Sequence, residues 1–150
     1  MISLTKKTDY ALIALAYLAE RPGRVASARE IAEARVLPTA LLMNILKELQ
    51  HHRLLRSTRG VKGGYEIAVD LAAVSLHELI VALEGPVRLV ECAEPSAPCQ
   101  HETPGEATTC RVSGHCAVQA PLQALHERLV RFLGDVKLCD VVLPAAAHKP

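Results

Sequence analysis

The chain has 150 residues, half of them hydrophobic, with no tryptophan, one phenylalanine and a net charge of +1. That length suits one compact domain or a small domain with an appendage, and a core of Leu, Val, Ile and Ala favours helices over an aromatic-rich sandwich. No apolar run reaches the roughly 18 residues of a membrane span. The apolar stretch Ala11–Ala19 follows Lys6 and Lys7 as a signal peptide would, but Asp9 and Tyr10 interrupt its start. Glu20-Arg21 stands where a small-residue cleavage site belongs. The expected setting is the cytoplasm.

Charge is unevenly distributed. Residues 1–65 carry 11 Lys/Arg and 5 Asp/Glu; residues 66–150 carry 6 and 11. A basic first half and an acidic second half suit a DNA reader joined to a sensing or dimerising part, although uneven solvated charge would look the same.

A first helix is predicted over residues 8–20, apolar on most faces and ended by Pro22-Gly23. Ser27 and Glu30 have capping-box spacing and open a short second helix through Ala34, with Ile31 inward. Pro38 is pre-organised for a first turn, so a third helix should run to His51. Leu42, Ile45, Leu46 and Leu49 form its apolar stripe. The other face carries Thr39, Ala40, Met43, Asn44 and Lys47. A short helix, a tight turn and an amphipathic helix are the order of a helix-turn-helix, whose second helix enters the major groove. His51-His52 closes that helix as solvated or phosphate-facing residues.

Within Leu54–Ile67 two short β-type stretches flank a turn rich in glycine and base. Directly after a helix-turn-helix this reads as the wing of a winged helix, with Arg59 and Lys62 at the tip and Arg56 in the first strand. The glycines are expected to permit positive φ and close backbone approach to a phosphate. A fourth helix opens at Ser75, capped with Glu78, and stops at Gly85-Pro86. In a final helix ending near Leu133, Val118, Leu122, Leu125, Leu129 and Phe132 form an apolar seam suited to a partner helix. The alternative is a helix lying on its own domain. Pro121 delays or bends its first turn.

The expected architecture is therefore mainly α with a small β-wing: a winged helix-turn-helix over residues 1–72, then a cysteine-loop sensor and dimerisation region over 73–150. Catalysis is not expected. There is no nucleophile–base pair, phosphate-binding glycine loop or HExxH site.

Cys92, Cys99, Cys110 and Cys116 fall in the loop between the last two long helices; Cys139 stands apart and reads as a packed thiol. Disulfides do not suit a cytoplasmic chain. Structural zinc favours paired C-x₂₋₄-C knuckles, which are absent, whereas an iron–sulfur cluster tolerates wider spacing. His101 and His115 lie in the same loop, either as further ligands or, as is more usual for isolated loop histidines, simply solvated.

Leu4-Thr5-Lys6-Lys7-Thr8-Asp9-Tyr10-Ala11-Leu12, the wing Arg59-Gly60 with Gly63-Gly64-Tyr65, the cysteine loop and Phe132–Leu138 together resemble the Rrf-two family of bacterial winged-helix regulators, which includes IscR, NsrR and RirA. The resemblance implies a long dimerisation helix, a symmetric homodimer on palindromic double-stranded DNA, and no membrane. It implies a 2Fe–2S or 4Fe–4S cluster on three cysteines and a non-cysteine ligand. Cys110 and Cys116 match the second and third cysteines. The first is Cys92 or Cys99, Cys92 being preferred because it directly follows the fourth helix. The first gap is longer than the family pattern, and one cysteine is spare. Gln119 stands where IscR-type regulators place histidine, and Asp9 stands where NsrR-type regulators place an aspartate supplied by the other subunit. Asp9 also suits a helix N-terminus without any metal. The implied function is a repressor sensing nitric oxide, redox or iron status. The alternatives are a regulator of cluster-assembly genes, or a cluster-free cysteine regulator of the same fold.

Overall fold

A computed structural model describes residues 4–60, 62–89 and 116–143. The elements in chain order are α1 (Lys6–Ala19), α2 (Ala28–Arg35), α3 (Thr39–His51), β1 (Leu55–Thr58), β2 (Gly64–Ile67), α4 (Leu76–Glu84), α5 (Gln119–Asp135) and α6 (Leu138–Val142).

Helix starts follow local chemistry. Thr5 caps α1 through Lys7 N–H, and Ser27 caps α2 through Glu30 N–H. Orphan first-turn donors are thereby satisfied. The capping box at Ser75 is complete, with Ser75 and Glu78 each accepting the other's backbone N–H. At Ser27 only half of it forms. The Glu30 carboxylate instead accepts the Tyr17 hydroxyl at 3.0 Å, tying α2 to α1. Tyr17 is buried, and that burial, followed by its bond to Glu30, pushes its pKa up. Arg21 lies 4.0 Å over its ring, within cation–π reach.

The predicted stripe of α3 is fully buried: Leu42, Ile45, Leu46 and Leu49 all lie in the core with Ala11, Leu15 and Ile31. Leu79 and Leu83 of α4 join the same cluster, as do Leu138 and Val142. The core thus runs across residue 72. The short α6 was not anticipated. Its apolar residues span too few turns to show a helical period. It packs against α1 and is pinned where Leu138 N–H donates to Val74 C=O at 2.9 Å and Leu76 N–H to Val136 C=O at 2.8 Å. Cys139 is half-buried against the core, as a packed thiol should be. Burial, and then neighbouring Asp140, push its pKa up.

The sheet is a two-stranded antiparallel hairpin, with Leu55 opposite Ile67, Arg56 opposite Glu66, Ser57 opposite Tyr65 and Thr58 opposite Gly64. Its outer edge is tied to the chain ahead of α2. Ala26 N–H donates to Tyr65 C=O at 3.0 Å, and Tyr65 N–H donates to Ala26 C=O at 2.8 Å. This fixes the wing relative to α2 and α3.

Candidate nucleic-acid interface and sensor residues

Thr39, Ala40, Met43, Asn44 and Lys47 are all exposed on the face of α3 opposite its core stripe. Pro38 makes no side-chain cap, and the first turn of α3 holds no acidic residue. The helix therefore presents uncapped N–H groups and its positive dipole end, which suits a phosphate. The turn aiming α3 is made by Val36, held at φ 54°, ψ 48° with its side chain 91% exposed. Among the described residues Arg53, just past α3, is the other non-glycine residue at positive φ, 61°. Sequence reading assigned neither, because neither is a glycine or an asparagine.

Arg59 and Lys62 are exposed at the wing tip; Val61 between them lies outside the described residues. Arg56 is exposed too, but its Nε lies 2.8 Å from Glu66 Oε1 across the hairpin. That bond holds the Glu66 carboxyl below its usual range. A phosphate reaching Arg56 would have to compete with Glu66. Gln50 Nε2 donates to Ser57 Oγ at 2.8 Å, joining the end of α3 to the wing.

The wing glycines divide the work differently from expectation. Gly60 has φ 117° and supplies the turn. Gly63 and Gly64 serve close approach within the protein. A Cβ on Gly63 would meet Thr58 C=O at 2.3 Å, and one on Gly64 would meet Ala26 C=O at 2.3 Å.

Among the sensor candidates, Cys92, Cys99 and Cys110 lie outside the described residues, with His101 and His115. Cys116 is a half-buried free thiol just ahead of α5. Asp9 is exposed on the first turn of α1. Among the described residues its side chain makes no hydrogen bond or ion pair, and no three His, Cys, Asp or Glu side chains gather as a metal site needs. An exposed carboxylate and a free thiol are donors of the kind an iron–sulfur centre takes.

Beside Asp9 the start of α1 is bound to the end of α4. The Thr5 and Thr8 hydroxyls both donate to Glu84, Thr8 at 2.8 Å, and Thr8 is fully buried. Burial alone would raise the Glu84 carboxyl, but the two hydroxyls and the Lys7 charge outweigh it and hold its pKa below the usual range.

On α5 the seam splits between two roles. His126 and the half-buried Leu122, Leu129 and Leu133 share the side on which α5 meets α4. Val118, Leu125 and Phe132 stay 55%, 52% and 63% exposed, seven residues apart. The buried side matches a helix lying on its own domain, and the exposed stripe is the part left available to a partner helix.

Residues 4–144 match the family model described as Rrf2, iron-dependent transcriptional regulator. The HTH-type transcriptional regulator Rv1287 of Mycobacterium tuberculosis is 34% identical over 88 residues, 58% of this chain. That alignment spans only 55% of Rv1287, little more than half its length. The HTH-type transcriptional regulator NsrR of Bacillus subtilis is 27% identical over 88% of this chain and 82% of its own. In structure the chain resembles CymR of B. subtilis, the global cysteine regulator, with TM-score 0.68, 24% identity, and coverage of 95% of this chain and 97% of CymR.

Proposed function

Since the chain belongs to the Rrf2 family of winged-helix transcriptional regulators, its work is on DNA rather than in catalysis, and we propose that it acts as a homodimeric, cytoplasmic repressor sensing nitric oxide, redox or iron status. In this reading Thr39, Ala40, Met43, Asn44 and Lys47 meet the major groove of a palindromic operator. Arg59 and Lys62 meet backbone or minor groove from the wing, and Arg56 joins them once released from Glu66. Residues 1–72 read DNA; residues 73–150 sense and dimerise.

The observation that carries the sensing part is the exposed stripe Val118, Leu125 and Phe132, which begins two residues after the free thiol Cys116. Burial of that stripe by a second copy is the hydrophobic driving force for a dimer, with heptad spacing suited to helix pairing. It also places Cys116 at the edge of that contact, where a residue of the other subunit can reach it. Cys110, Cys116 and Cys92 or Cys99 would hold an iron–sulfur cluster, with the unpartnered Asp9 of the second copy as fourth donor. Such a cluster, when bound, supplies a centre reactive towards nitric oxide and oxygen. A carboxylate is a harder, weaker iron donor than a thiolate, so Asp9 as a ligand would hold its iron less firmly than a fourth cysteine would. Any effect on operator affinity must come from a difference in cluster stability between DNA-competent and incompetent dimers.

Anaerobically purified protein tests this by its visible absorbance and its iron and sulfide content. Wild type should carry both elements and a visible band, and Asp9→Ala should alter the band while remaining dimeric. Protein that binds operator DNA yet contains neither iron nor sulfide would show a cluster-free regulator of the same fold. An unchanged band and unchanged reactivity in Asp9→Ala would reduce Asp9 to a helix-start residue.

A further inference from the structure

Lys7 lies on the first turn of α1, and its ammonium group serves two other helices at once. Nζ donates to Leu83 C=O at 2.6 Å and lies 2.6 Å from Glu48 Oε2. Leu83 contributes one of the last carbonyls of α4, at the negative end of that helix. Glu84, next in the chain, fixes the start of α1 through Thr5 and Thr8.

Glu48 occupies a sensitive position on α3. It follows Lys47 directly and Asn44 by four residues, so at 100° per residue it sits one turn from Asn44 on the flank of the reading face. A duplex docked on that face brings phosphates towards this flank. An unpaired carboxylate there repels them, opposing the cation–phosphate attraction that dominates protein–DNA affinity. Pairing with Lys7 cancels that charge. As a contribution to folding, a partly exposed ion pair of this kind counts for little. Its consequence falls on binding.

We propose that Lys7 is a positioning residue that masks Glu48, and that the grip of the α4 end on the start of α1 sets how completely it does so. DNA affinity is thereby coupled to the end of α4 through one shared ammonium group. The coupling needs only the DNA-reading role of α3. It does not depend on what the cysteines hold.

The test measures the affinity of the full-length protein for a labelled duplex selected from a randomised library by wild-type protein, with helical circular dichroism as the folding readout. Lys7→Gln should weaken binding about tenfold, the order expected when a unit charge is left unpaired beside phosphates in both copies of a dimer. Glu48→Gln should bind at least as tightly as wild type, and Lys7→Arg should retain wild-type affinity. The double variant Lys7→Gln/Glu48→Gln should return to within about threefold of Glu48→Gln, because the charge needing a mask is gone. Glu84→Gln, which leaves Lys7 in place, should weaken binding only when Glu48 is present. If the double variant stays as weak as Lys7→Gln, Lys7 contacts DNA itself and the proposal fails. It fails equally if Lys7→Gln binds as wild type, or if Glu84→Gln acts alike with and without Glu48. Loss of iron or sulfide leaves this pattern unchanged, so failure here and failure of the cluster reading are separate results.

Discussion

Replacing Gly64 by alanine would place a methyl carbon 2.3 Å from Ala26 O, 2.4 Å from Ala26 C and 2.8 Å from Ser27 N. All three are backbone atoms, so no side chain can swing aside. Ordinary contact begins near 3.4 Å, and β2 must therefore retreat by about an ångström. The two hydrogen bonds joining Ala26 and Tyr65, now 3.0 and 2.8 Å, would be stretched past useful length. At about 1 kcal/mol net for each bond, the expected loss is about 2 kcal/mol. For a chain of this size that is a fall of roughly 4–8 °C in Tm. Since the chain has no tryptophan, circular dichroism at fixed protein concentration is the suitable probe, and amide hydrogen exchange reports the Ala26 and Tyr65 N–H groups directly. The displaced wing should also bind DNA less well, with the log–log salt slope lowered by about 0.9 for each phosphate that the wing no longer neutralises. An unchanged Tm with both amides still protected would refute the view that Gly64 is required for close approach.

Three further outcomes follow from the packing. Val36→Gly should stabilise the protein by up to about 1 kcal/mol, since an exposed β-branched residue at φ 54° carries the left-handed penalty and little burial is sacrificed; denaturant midpoints check it, and destabilisation would show that Val36 packs on something. Leu125→Glu should yield a monomer in sedimentation with operator binding abolished, because its exposed site lies mid-stripe; a fully dimeric variant would place the interface elsewhere. Glu78 is held below its ordinary pKa of 4.5, first by its backbone bond from Ser75, and Glu84 is held low by the Thr5 and Thr8 hydroxyls and Lys7 despite its burial. Depressed folded pKa values contribute stability that is present above the unfolded value and is lost as pH falls through the folded values. Thermal stability should thus fall below about pH 4.5, and Glu78→Gln/Glu84→Gln should flatten that acid limb; an equally steep limb in the double variant would assign it to other carboxylates.

The residues themselves determined much of this protein. The stripe Leu42, Ile45, Leu46 and Leu49, the caps at Ser27 and Ser75, and the hairpin after α3 were all legible, because period, cap chemistry and turn composition are local properties. The exposed face of α3 opposite that stripe followed from the same period. Tertiary structure decided what depends on residues distant in the chain. Glycines at 63 and 64 announce a turn, yet only the approach of Ala26 from some forty positions away explains why residue 64 has no side chain. Arg56 looked like a free cation until Glu66 appeared opposite it. Leu138 and Val142 carry too few apolar residues to announce α6, and their place in the core follows from α1 lying beside them. Lys7 reads as one more basic residue near the start of the chain; only folding brings the last turn of α4 and the flank of α3 to its ammonium group. Local preference selects the elements, whereas the partner of each charge and the space around each glycine arise from long-range packing.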